Sequence, residues 1–243
     1  RRISDFQQDY PAVSVALLID VSGSMEAQMG NAREAATFML GGLDRQRDEV
    51  GIYTFDTHLD EIQPFAVGVQ VLPPQLSTIK PFGATSLHDA IAATARRLTN
   101  REGLRRAVIV FTDGSDNWSR LTPAEVSAVA SAIDVPVYII GLVSLIDNPA
   151  SDISNVTIER SLQSGTLASL AAWTGGRSFI ASASVDRSAI ARVILDELRH
   201  QYVIAFESSS QPGWHPLVVR TRDKDLVVRA RSGYDAGQSR PIS

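Results

Sequence analysis

Strand and helix alternate along most of this 243-residue chain, which predicts a three-layer, doubly wound α/β fold: a mainly parallel sheet with one antiparallel edge strand, helices on both faces, and a small C-terminal antiparallel β extension. Three observations predict it. Apolar runs rich in β-branched residues recur near 13–19, 49–55, 107–112 and 136–142. The segments between most of them have helical spacing, and continuous apolar strands joined by helices imply a parallel sheet covered on both sides by right-handed crossovers. After about residue 200 the pattern changes to short strand-like segments separated by turns.

The elements follow in order. "AREAATFMLGGL" and "SLHDAIAATARRL" carry apolar residues at helical intervals. "VGIYTFDTHLDEIQPF" reads as two strands turning around Asp56 to His58, which supplies the antiparallel edge. "TPAEVSAVASAI" opens a helix with Thr122 as N-cap, Pro123 in the first turn and Glu125 three residues after the cap. The polar stretch 144–165 is long for a connection in a compact domain and is expected to be an elaborated loop. A helix near 166–173, a strand near 177–181 and a helix from about 186 to 199 complete the α/β pattern. Beyond it, "QYVIAFESS", "WHPLVVRTR" and "DLVVRARSGY" read as three strands of an appendage too small for a good core of its own. The expected division is therefore 11–200 for the α/β domain and 201–243 for the extension packed on it.

Composition narrows the function classes. No apolar run approaches the roughly 20 residues of a membrane span, and "RRISDFQQDYPAV" lacks the apolar core of a signal peptide. The absence of cysteine excludes disulfides, thiolate metal sites and cysteine nucleophiles. A formal charge of −4 offers no general attraction to nucleic acid, and the pairs Arg96-Arg97 and Arg105-Arg106 read as solvated charges near a helix end and a strand start.

The chemistry concentrates in "ALLIDVSGSM", where a strand runs into a loop with Asp20, Ser22 and Ser24 at alternate positions. Ligands of open α/β sheets bind beyond the carboxyl ends of the strands, near the reversal of strand order. "FTDGSDN" supplies Asp113 at such an end, and "PFGATSLHDA" places Thr85 in a glycine-containing loop before a helix. Two carboxylates and three hydroxyls are hard oxygen donors, suited to octahedral Mg2+ more than to Ca2+, with Mn2+ able to replace it. Taken singly, Asp20 reads as an N-cap or turn residue and the serines as capping groups; together, five such groups on three loops read as a cation site. Asp116, Asn117 and Trp118 follow as an exposed turn or a ligand rim.

Other chemistries fit less well. A phosphatase with an aspartyl nucleophile wants a second Asp where Ser22 stands, and "SGSME" is no nucleophile elbow. His58, His88, His200 and His215 show no triad spacing, His88 reading as helix surface or as a neighbour of the site. No dinucleotide fingerprint follows the first strand.

At these residues the sequence resembles the von Willebrand factor type A family, whose metal-ion-dependent adhesion site joins a D-x-S-x-S motif, a threonine in a second loop and an aspartate in a third. The resemblance carries those roles to Asp20, Ser22, Ser24, Thr85 and Asp113, over approximately residues 11–200. It implies a Rossmann-like fold, Mg2+ (with Mn2+ or Ca2+ as substitutes), no catalytic residues, and a protein ligand that presents Asp or Glu to the ion. The tail segments "QYVIAF", "GWH" and "RSGY" are similar to the end of the bacterial VWFA-related family first recognised in acidobacterial proteins, which implies a periplasmic or secreted location. A metal-dependent hydrolase, or a scaffold stabilised by a metal, are the alternative readings.

Overall fold

All eight residues of one strand, Val13–Asp20, are completely buried, and the rest of the fold is arranged around it. The computed structural model describes residues 3–7, 11–99, 101, 105–114, 116–132, 134–143, 166–207, 209, 211–223 and 225–236. Their order is β1 (Ile3–Gln7), β2 (Val13–Asp20), a 3-10 helix (Gly23–Ala27), α1 (Met29–Gly42), β3 (Glu49–Phe55), β4 (Leu59–Val67), α2 (Gln75–Thr78), α3 (Leu87–Arg97), β5 (Arg105–Thr112), α4 (Pro123–Ala132) and β6 (Val137–Leu142). There follow α5 (Thr166–Trp173), β7 (Ser178–Ala181), α6 (Ser184–Arg199), β8 (Val203–Phe206), β9 (Gly213–Pro216) and β10 (Gly233–Ala236).

Six strands form the main sheet in the order β4-β3-β2-β5-β6-β7, parallel except for the edge strand β4. Side chains alternate across a strand, so β2 serves two cores. Val13, Val15, Leu17 and Ile19 pack with Met39 and Leu40 of α1 and Ile194 and Leu198 of α6. Ala16 and Leu18 pack on the other face with Leu87 and Ile91 of α3, Val126 of α4 and Leu170 of α5. That double burial explains the unbroken apolar runs, since each side chain of β2 leaves water whichever way it points. Full burial of a Leu or Ile contributes about 1.5–3 kcal/mol.

Local sequence sets the element ends. Glu125 accepts from the Thr122 N–H at 2.7 Å while the Glu125 N–H donates to the Thr122 hydroxyl at 3.3 Å, the reciprocal cap that starts α4. The β3–β4 turn closes where the His58 N–H donates to Asp56 Oδ1 at 2.8 Å. Arg97, in the last turn of α3, pairs with Glu61 at 2.8 Å, and the Arg106 guanidinium faces the carbonyls of Leu98 and Thr99 at 3.4 Å, so these cations are engaged at the surface.

The tail departs from expectation in two ways. β8 pairs antiparallel with β1, a strand from residues that the sequence reading left unassigned. β9 pairs with β10, but the intervening "LVVRTR" and "DLVVRARS" form no ladder among the described residues, and Val218, Leu226 and Val227 are exposed. Strand propensity is largely a fit to a half-buried pleated surface, and these valines have none to pack against. The expected loop at 144–165 lies outside the described residues. Among the described residues no helix is long and apolar enough to cross a membrane.

Candidate functional site

β2 and β5 are neighbours from which the chain departs toward opposite edges of the sheet, so the strand order reverses between them. Asp20 ends β2 and Thr112 ends β5. Asp20 is fully buried; its Oδ1 accepts from the Ser22 N–H at 2.9 Å and its Oδ2 from the Thr112 hydroxyl at 2.7 Å. Burial pushes the Asp20 carboxyl above its usual range against hydrogen bonds from Thr112 and from both the side chain and the backbone of Ser22, and the charge of Asp113 adds a smaller rise. Two carboxylates thus feel each other at the head of the sheet.

Ser22 is buried and stands at the N-cap of the 3-10 helix, yet its hydroxyl caps nothing there; it lies 3.2 Å from the hydroxyl of exposed Ser24. The turn reading is therefore correct for the Asp20 carboxylate, which binds the backbone two residues on and also the Ser22 side chain, and does not account for the Ser24 hydroxyl.

The second loop is tied to the first by backbone. The Gly23 N–H donates to the Gly83 carbonyl at 3.1 Å and the Phe82 N–H to the Val21 carbonyl at 3.0 Å. Gly83 has φ +85°, a left-handed conformation that glycine adopts without strain. Thr85 is buried beside this contact, at the foot of α3.

Asn117 joins the third loop to the second: its side-chain oxygen accepts from the Thr85 N–H at 2.9 Å while its own N–H donates to the Thr85 carbonyl at 3.1 Å. Asp116 accepts from the His88 N–H at 2.9 Å and stands 3.1 Å from His88 Nδ1. His88 is buried, which corrects the surface reading, and its Nε2 has no hydrogen-bond partner among the described residues. Asp89 returns the bracing by accepting from the Arg120 and Leu121 N–H groups at 3.1 and 2.9 Å. The turn at 116–118 thus positions Thr85.

The structure brings Asp20, Ser22 and Ser24 together, sets Asp113 within electrostatic reach of Asp20, and fastens Thr85 to the loops of both. Among the described residues no three His, Cys, Asp or Glu side chains assemble as a metal-binding group; the candidate set has two carboxylates and takes its other donors from hydroxyls. Those donors fit a hard divalent cation, which would offset the burial of the Asp20 charge.

An α/β sheet of this order, with loops gathered at the head of β2 and β5, is the fold of the von Willebrand factor type A domain, and residues 15–115 match the family model of that domain. The chain is similar to an aerotolerance-related membrane protein of Bacteroides fragilis, with 21% identity over 78% of this chain and 100% of that one and a TM-score of 0.60. It is also similar to a von Willebrand factor type A protein of Catenulispora acidiphila, with 16% identity over 78% of this chain and 43% of that one and a TM-score of 0.59. Among curated sequences, it is 23% identical over 136 residues to an uncharacterized protein of Borreliella burgdorferi, of which it spans about 40% of the length.

Proposed function

We propose that the chain is a Mg2+-dependent, non-enzymatic protein-recognition module. Ser22, Ser24 and Thr85 hold the ion together with Asp20 and Asp113, directly or through waters, and an acidic side chain of a partner completes its coordination. The observation that carries this reading is the convergence of three backbone-linked loops at the head of β2 and β5, with the Ser22 hydroxyl left out of helix capping. When bound, such an ion supplies positive charge that few direct anionic ligands neutralise, in a partly dry setting where a carboxylate is strongly attracted.

The protein's residues divide the work. Both Asp20 oxygens already accept a hydrogen bond, so its remaining lone pairs suit waters of the ion's shell, while Thr112 and the Ser22 N–H fix its orientation. Asn117 holds Thr85 at one height in the site. We assign the module to the periplasm or the cell exterior; the resemblance of its tail and the relative described as a membrane protein support that placement.

Calorimetric titration tests the reading. The wild type is expected to bind Mg2+ and Mn2+, and Asp20→Ala to bind neither. Equal binding by the variant, or none by the wild type, removes the site, and turnover of phosphoester or peptide substrates would move the assignment to a hydrolase.

A further inference from the structure

Two large aromatic side chains are uncovered on the second and third loops of the candidate site, Phe82 at 80% exposure and Trp118 at 64%. Neither swings from a free loop tip. The Phe82 N–H is bound to the carbonyl of Val21, the residue between Asp20 and Ser22, and the Trp118 N–H is bound to the carbonyl of Thr85. Each aromatic therefore grows from backbone that is hydrogen-bonded to a candidate ligand residue or its direct neighbour, one on the second loop and one on the third. The local order is high: Gly83 O accepts from Gly23 on one side, and the Asn117 side chain grips Thr85 on the other.

Exposed Phe and Trp on a fixed frame are the side chains that anchor protein interfaces, because they bury much apolar area and lose little conformational freedom in doing so. We infer that Phe82 and Trp118 form an apolar rim that selects, among acidic partners, a protein segment whose Asp or Glu is flanked within about two residues by aliphatic or aromatic side chains. The inference rests on the metal-site reading above, which supplies the attraction for the carboxylate; the two aromatics supply the choice among carboxylates. Charge favours a single-carboxylate segment over a polyanion, since Asp113 and Asp116 lie on the same loop as Trp118 and the chain carries a net charge of −4.

A random dodecapeptide phage library panned on the full chain in Mg2+ and eluted with EDTA tests it. Eluted sequences are expected to carry Asp or Glu with Leu, Ile, Phe, Tyr or Trp within two residues. Fluorescence anisotropy of the leading synthetic peptide is then measured on wild type, Phe82→Ser, Trp118→Ser and Asp20→Ala. Each aromatic substitution is expected to weaken the peptide about tenfold, with Mg2+ affinity by calorimetry unchanged, because both side chains point into solvent. Acidic peptides without apolar neighbours, or wild-type affinity in both aromatic variants, overturn the inference and leave the metal site standing. No chelator-eluted peptide, or full affinity in Asp20→Ala, overturns the metal-site reading and the inference with it.

Discussion

Asp20 has no exposed surface, and its carboxyl is raised by burial and by the charge of Asp113. Without a cation, that position holds a charge the surroundings disfavour, so the neutral near-isostere should be tolerated there. An Asn at this site can still accept from the Ser22 N–H, and the Thr112 hydroxyl can accept from its amide. Metal-free Asp20→Asn is therefore expected to melt at or above the wild type, and to gain nothing from added Mg2+. Differential scanning fluorimetry with and without the ion checks both signs. A variant that loses stability in chelator would show that the carboxylate serves the fold itself. At this scale the sequence discloses Asp20, Ser22 and Ser24 because their spacing is local. It cannot disclose Thr112 as the partner of Asp20, since that bond exists only in the register that sets Ile19 beside Phe111. The sequence marks Asn117 as a turn or rim residue, but its hold on Thr85, 32 residues away, is hidden for the same reason.

Among the elements, α1 and α6 carry the connection between the site and the end of the domain. α1 follows the 3-10 helix that Ser22 precedes, and its Glu34 receives the Arg187 guanidinium (Nε, 2.8 Å) and the Ser184 hydroxyl from the first turn of α6. The hydrogen bond from Ser184, and then Arg187, hold the Glu34 carboxyl below its usual range. A carboxyl lowered in the folded state contributes stability above its unfolded value, and that contribution disappears as pH falls through the lowered folded value. Glu34→Gln is expected to melt below the wild type at pH 7, with the gap closing as the pH drops below the ordinary carboxylate range near about 4. Parallel melting curves across pH 3 to 7 would decide it, and a gap independent of pH would assign the loss to packing. Helix and strand existence is largely legible because the apolar period is long and regular. The 217–232 segment is misread because its alternation promises a strand while no sheet surface among the described residues receives it.

For the molecule as a whole, the question is whether the tail is a domain or a dependent of the α/β body. Among the described side chains after residue 200, those that are buried are Gly233, Tyr234 and Ala236, too little for a core. The contacts run instead to the body. Ser232 N–H donates to the Trp173 carbonyl at 3.1 Å, Arg231 pairs with Asp134 at 3.4 Å, and Arg229 shares Glu197 of α6 with Arg177. The two small sheets meet where the Phe206 and Tyr234 rings lie 5.3 Å apart edge to face. β1 takes part as well, so the extension is held from both ends of the described chain. A tail fastened through Glu197, Trp173 and Asp134 should melt with the body. Calorimetry of the full chain is expected to show a single transition, a chain ending at residue 207 to fold but melt several degrees lower, and residues 201–243 alone to give no cooperative transition. For a protein of this size each kcal/mol lost lowers the midpoint by roughly 2–4 °C, so the loss of the shared Glu197 pair and the Trp173 bond is readable. Two separate transitions in the full chain would instead make residues 201–243 a domain in their own right, and the Glu197 contacts incidental to the fold.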